Sequence, residues 1–223
     1  AACLFRELTA RDALVSALRE DVLAADGAGA LREARIGRAQ DETRAIDVRR
    51  ADIRWLDGAS PAQAAFLMGC EQLREAVNRE LFAGLFEFEA HYARYPEGGF
   101  YARHLDAFRP DPRALPNAGL GAAARRSRVV SLVAFLNPGW GEEDGGELVL
   151  WEATPLAADG RPDLGALDHA PPAAVLRPEA GGLVLMMSET IPHEVRPARR
   201  ERLAIAGWWR VNASIGGVVD PIR

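Results

Sequence analysis

The chain has 223 residues, 48% hydrophobic and 26% charged, enough for one sizeable core in an ordinary soluble globular protein. Its net charge of −5, from 27 Lys+Arg against 32 Asp+Glu, excludes a general attraction to nucleic acid. Two distant cysteines, Cys3 and Cys70, exclude a disulfide framework. Apolar runs such as 129–136, interrupted by Ser131, are too short to span a bilayer. The first dozen residues mix charges and lack the core of a signal peptide, so the expected home is the cytoplasm, with no membrane partner.

Helical patterning comes first. Thr9 with Asp12 reads as an N-cap and an acidic N3 residue, before Leu14, Leu18 and Val22 at four-residue spacing. A second helix is capped by Ser60 with Pro61 at its first position; Phe66, Cys70, Leu73, Val77 and Leu81 form its apolar stripe. A strand around 52–56 lies between the two. From Leu85 the texture changes to short strands, predicted at 86–95, 99–106, 128–136, 147–152, 173–176, 182–187, 191–195 and 202–211. Along 86–92 the residues Phe86, Phe88, Ala90 and Tyr92 alternate with Glu87, Glu89 and His91, the period of a half-buried strand, which turns His91 outward. Residues 137–144 and 154–172 read as loops, the second exposed and mobile. Residues 36–52 are polar and suit either a flap or an ordinary solvated loop, with Arg49 and Arg50 as surface charges. The expected fold is mainly β with helical support (α+β): a double-stranded β-helix, the cupin-like jelly roll, with N-terminal helices packed on one sheet. Residues 1–223 are expected to form one domain, with helical support over 1–84 and the jelly-roll core over 85–215.

Two of the four histidines lie in informative settings. His104 and Asp106 end a predicted strand, where residues two apart share a face. A second imidazole from a distant strand, His193, completes a 2-His-1-carboxylate triad, which leaves three positions on an octahedral iron(II) for a bidentate cosubstrate and oxygen. Arg202 begins the last strand, and Ala204 and Ala206 share its face, so a hollow opens above a guanidinium. A buried Arg needs an anion, and a dicarboxylate reaching in from the metal would provide one through a bidentate pair. Arg196, Arg199 and Arg200 read instead as solvated charges, and His169 as exposed. Met68, Met186 and Met187 read as core filling and Cys70 as an inert buried thiol.

These residues lie within a broader pattern: RADIRWLDG (50–58), YPEGGFYARHLD (95–106), RVVSLVAFLNPGW (128–140), GGELVLW (145–151) and IPHEVRPARRERLAIAGWW (191–209). In order and spacing the pattern resembles the prolyl-hydroxylase branch of the Fe(II)/2-oxoglutarate-dependent dioxygenases, close to the hypoxia-factor prolyl hydroxylases and their bacterial relatives. The resemblance implies iron(II) on His104, Asp106 and His193, and 2-oxoglutarate with its distal carboxylate on Arg202 and with Tyr95 and Phe135 in its pocket. Phe135 departs from the pattern, since relatives often carry a Tyr there that bonds the same carboxylate. Asp52 and Arg128 match an acid/base pair that helps hold a loop over substrate, accompanied by Trp55 and Trp140; Trp208 matches a Trp near the entrance, and Tyr101 is a further candidate substrate or loop residue. The implied reaction consumes oxygen, releases succinate and CO2, and hydroxylates a prolyl residue of a peptide or protein. A translation factor such as elongation factor Tu is one candidate substrate, and ascorbate a candidate reductant. Two other readings stay open: the same chemistry on free proline or another small metabolite, and a barrel that binds metal without turnover. The oligomeric state is unspecified.

Overall fold

The computed structural model describes residues 3–5, 12–34, 48–107, 128–153, 155–158 and 163–211. Its helices are α1 (Asp12–Gly27) and α2 (Pro61–Leu81). The strands before the second helix are β1 (Cys3–Phe5), β2 (Arg32–Glu33) and β3 (Asp52–Trp55). After it come β4 (Leu85–Tyr95), β5 (Tyr101–His104), β6 (Arg128–Phe135), β7 (Leu148–Leu150), β8 (Ala174–Leu176), β9 (Leu183–Met187), β10 (His193–Val195) and β11 (Arg202–Val211). Every strand from β3 onward falls within a predicted segment, give or take a residue. β1 and β2 were not expected, because two or three residues carry no readable period; they exist by pairing with β9 and β3.

The strands form two antiparallel sheets. The larger runs β1-β9-β6-β11-β4-β3-β2, and the smaller runs β5-β10-β7-β8. This is the expected jelly-roll architecture, with the helices against the larger sheet. Leu18 and Val22 of α1 and Phe66 and Cys70 of α2 pack on Tyr92, Leu132, Ile205 and Trp209. Burying each such aliphatic side chain contributes about 1.5–3 kcal/mol. A second cluster, including Tyr95, Phe135, Leu150, Met186 and Ala204, fills the space between the sheets. Among the described residues no helix is long and apolar enough to cross a membrane.

Local detail corrects several expectations. The first helix begins at Asp12, which therefore sits in its first turn, while Thr9 lies outside the described residues. The α2 cap is as expected, the Gln63 amide donating to Ser60 Oγ at 3.1 Å. Its stripe ends early: Leu81 is 71% exposed because the chain leaves the helix at Phe82, which adopts φ +51°. Met68 and Met187 are exposed, and only Met186 fills the core. Of the proposed flap, residues 36–47 lie outside the described residues. Its end is tied down instead: Ala102 N donates to Val48 O at 2.8 Å, Arg50 N to Phe100 O at 2.9 Å, and Asp52 lies in β3.

A polar knot joins both helices to the larger sheet. The Asp21 carboxylate accepts from Ser60 Oγ (2.6 Å), Gln63 Nε2 (2.9 Å) and the Tyr92 hydroxyl (3.0 Å). Partial burial alone would raise this carboxyl, but the three donors outweigh it and hold it below its ordinary value. Asp21→Ala leaves those donors unpaired and should cost about 1–3 kcal/mol, read as a lower midpoint in urea unfolding. Because the folded-state value is depressed, the stabilisation is present above about pH 4 and lost as pH falls below it. The gap between wild type and Asp21→Ala should therefore narrow in acid.

Candidate metal and cosubstrate site

The strand register delivers the first two side chains. β10 pairs with β5 so that His193 faces His104, their rings 4.2 Å apart. Strand β5 stops at His104, so Asp106 lies just beyond it rather than inside a strand. It still converges, because the turn is fastened to β9's end by Ala107 N donating to Ser188 O at 3.2 Å. The Asp106 oxygens lie 3.6 Å from His104 Nε2 and 3.5 Å from His193 Nε2. One ligand atom from each of the three residues lies within 4.8 Å of the others, a group able to hold a metal ion.

Hydrogen bonding fixes which ring nitrogen is free. His104 Nδ1 lies 2.8 Å from Ala102 O, and His193 Nδ1 lies 3.1 Å from Ile191 O. A carbonyl only accepts, so each Nδ1 carries the proton and each Nε2 presents a lone pair to the centre. Burial pushes His193 down to about 4, aided by His104, so it is neutral and ready to coordinate at ordinary pH. Burial alone would raise Asp106, but His193 and His104 outweigh it and hold the carboxyl well below its usual range. A bond from Ser131 adds to this, and the Ser131 and Ser188 hydroxyls are themselves bonded at 2.8 Å.

Deeper between the sheets, Arg202 is 1% exposed. Its Nε donates to Gly146 O at 2.9 Å, its Cζ lies 4.9 Å from the Tyr95 ring and 5.5 Å from the Phe135 ring, and its Nη2 is buried without a partner. Among the described residues no carboxylate lies within ion-pair distance of it. A dry cation with an idle donor is costly, and burial lowers its proton affinity as expected. The guanidinium is buried between the sheets beside Tyr95 and Phe135, and Ala204 on its face packs in the same cluster as those rings.

The outer residues are arranged differently from expectation. Asp52 and Arg128 are not brought together: Arg94 Nη1 donates to Asp52 at 3.1 Å, while Arg128 holds Glu89 at 2.6 and 2.8 Å. The reason is facing, since Asp52 pairs with Arg94 on the helix side of β4, and Glu89 lies on the opposite side. Arg128 stacks over Trp208 at 3.8 Å, and Trp208 is 7% exposed with its Nε1 unpartnered. Tyr101 stacks on His104 with ring centroids 3.6 Å apart, and burial pushes its hydroxyl up to about 12, so it stays protonated. Arg49 is no plain surface charge, because its guanidinium lies 4.7 Å over Tyr101. Arg200 is likewise engaged, with Gly139 O at 2.7 Å and Trp140 at 4.3 Å. Trp140 itself is buried, its Nε1 donating to Gly145 O at 2.8 Å.

His91 reverses its predicted direction. It is 2% exposed, between Trp55 (5.2 Å) and Trp208 (5.4 Å), and burial pushes it down to about 3. The alternation along β4 is real, but both faces are covered: the apolar face meets the helices, and the Glu89-His91-Ala93-Tyr95 face lines the space between the sheets. Counting back in twos from Tyr95, already placed in the pocket, would have found Glu89 and His91. Gly146 carried no such signal. At φ +69° a Cβ there would meet Arg202 Cδ at 3.1 Å and Ala198 Cβ at 3.0 Å.

Comparison with known proteins agrees with this geometry. Residues 90–210 match the family model of the 2OG-Fe(II) oxygenase superfamily. A Pseudomonas putida prolyl-4-hydroxylase is 38% identical, with 89% of this chain and 86% of that one covered and a TM-score of 0.64. A Trichoplax adhaerens prolyl hydroxylase, solved with a hypoxia inducible factor oxygen degradation domain peptide fragment, shares the fold at 22% identity. There the TM-score is 0.70, and 94% of this chain and 83% of that one are covered. No match is found among curated protein sequences. The chain belongs to the 2OG-Fe(II) oxygenase superfamily, whose members use iron(II), 2-oxoglutarate and oxygen.

Proposed function

We propose that this dioxygenase hydroxylates a prolyl residue in a peptide or protein, with His104, Asp106 and His193 holding iron(II). The observation that supports the cofactor assignment is the buried Arg202, its Nη2 unpartnered, on the inter-sheet side of β11 beside Tyr95 and Phe135. Its free Nη2 takes the distal carboxylate of 2-oxoglutarate, while Tyr95 and Phe135 form the walls. Bound iron and cosubstrate supply the oxidation, in which 2-oxoglutarate is converted with oxygen to succinate and CO2 while the substrate gains a hydroxyl. The protein's part is positioning and exclusion of water. The imidazoles present Nε2, Asp106 stays ionised, and Tyr101 and Trp208 shape the approach. Identity to a prolyl-4-hydroxylase supports the prolyl target. Trp55, 48% exposed beside His91 and Trp208, supports a mouth open to a polypeptide rather than a closed pocket for a free amino acid.

The test is succinate production from folded, iron-loaded protein with 2-oxoglutarate, oxygen, ascorbate and proline-containing peptides, elongation factor Tu sequences among them. Peptide-stimulated succinate with a 16-Da gain on proline is expected. Its absence with every peptide, alongside stimulation by free proline, would shift the reading to a small substrate. No succinate under any condition would overturn it. Gly146→Ala should weaken 2-oxoglutarate binding more than metal binding, because the added methyl crowds Arg202 and not the triad. The left-handed backbone adds strain of roughly 1–2 kcal/mol. Paired titrations of the two ligands check the order.

A further inference from the structure

We propose that Arg103 is a positioning residue for the metal ligands, bracing from behind the two strands that carry the imidazoles. The inference rests on the triad holding a metal. Strand β5 is four residues long, its other edge is bonded by residues 48–50, and its ladder with β10 shifts register between His193 and Val195. Where that register shifts, side-chain contacts behind the ladder add to backbone pairing in setting His104 against His193. Neighbouring residues on a strand point to opposite faces, so Arg103 lies behind His104 and Glu194 behind His193.

On that rear face one guanidinium makes four contacts. It lies 4.2 Å over the ring of Trp151, which follows β7 on the far side of β10. Its Nη1 donates to Leu164 O and to Asp168 Oδ1, both at 2.9 Å, and its Nε faces Glu194 at 3.8 Å. The contact with Trp151 thus reaches from β5 to the end of β7, across the strand that carries His193. Leu164 and Asp168 belong to a segment expected to be a mobile loop. Instead it packs Leu167 on Val149 and Trp151, and Trp151 Nε1 donates to Ala170 O at 3.2 Å. The side chain of Arg103 is only 17% exposed. A planar guanidinium lays its face on the ring while its edge nitrogens reach the oxygens; an ammonium is a compact point charge without that face.

The readout is binding of Mn(II), a redox-stable probe of the metal site, measured from the EPR signal of the free ion, together with the ligand-field spectrum of the Co(II) form. Arg103→Gln should weaken Mn(II) binding by roughly 10- to 100-fold, the range for supports just outside a ligand shell, and should alter the Co(II) spectrum. Arg103→Lys keeps the charge without the fork and should recover only part of the affinity. A merely structural role would lower the melting temperature of the metal-free protein and leave both signals alone. Mn(II) affinity within about twofold of wild type, with an unchanged Co(II) spectrum, overturns the proposal. If Arg103→Gln does not fold, Arg103→Lys decides alone: wild-type affinity overturns the proposal, a several-fold loss supports it. Failure of the wild type to bind Mn(II), or undiminished binding by His104→Ala, would instead sink the metal reading beneath it.

Discussion

Asp106→Ala should abolish turnover and lower Mn(II) affinity by at least ~100-fold, beyond the usual effect of losing an outer-shell partner. Asp106 supplies the only carboxylate of the triad, placed 3.5–3.6 Å from both ligand nitrogens. Without it two neutral imidazoles remain, and a divalent cation would enter a buried site with no opposite charge to offset its dehydration. The fold should tolerate the change. Removing the carboxylate takes away the bonds from His104 and Ser131 but no apolar packing. The decisive comparison is thermal unfolding with and without Mn(II): wild type should gain stability from the metal, and the variant should not. A variant that keeps the metal-dependent gain would remove Asp106 from the ligand set.

Arg202→Met should produce the second large loss, in 2-oxoglutarate affinity, with the metal retained. Met keeps an unbranched apolar stem beside Tyr95 and Phe135 but removes the guanidinium. Breaking a buried pair by removing one partner costs about 3–5 kcal/mol, which corresponds to at least ~100-fold in affinity. Stability should move the other way. In the absence of cosubstrate Arg202 is a dry cation with an unpartnered Nη2, so deleting it should raise the melting temperature of the cosubstrate-free protein. Calorimetric titration of 2-oxoglutarate into the Mn(II) form, with thermal unfolding of the free form, measures both. Unchanged cosubstrate binding would show that another group holds the distal carboxylate.

The elements legible in the sequence were those with a full period or a strong cap. β4, β6 and β11 are long enough to show alternation, and Ser60-Pro61 marks the start of α2. His104, Asp106, His193 and Arg202 stand out on a different basis, residue type and spacing joined to the order of motifs shared with the prolyl hydroxylases. What escaped was direction. A polar residue on an alternating strand reads as solvent-facing, yet Glu89 and His91 turn toward Arg128, Trp55 and Trp208. The sequence period is the same for either environment, so only knowledge of what covers each face could decide. The partners of Asp52 and Arg128 escaped on the same ground, each being set by neighbours on opposite sides of β4. Arg103 was invisible because its contacts come from residues 151, 164, 168 and 194, distant in the chain.

The two-sidedness of β11 has a consequence for how this protein can change. Leu203, Ile205 and Trp209 pack with the helices, while Arg202, Ala204 and Trp208 face the space between the sheets. Along most of the strand, odd positions pack on the helices and even positions face the space between the sheets. A lineage or an engineer can therefore alter the inter-sheet face by stepping in twos along one stretch of backbone, without touching the side chains that hold the helices.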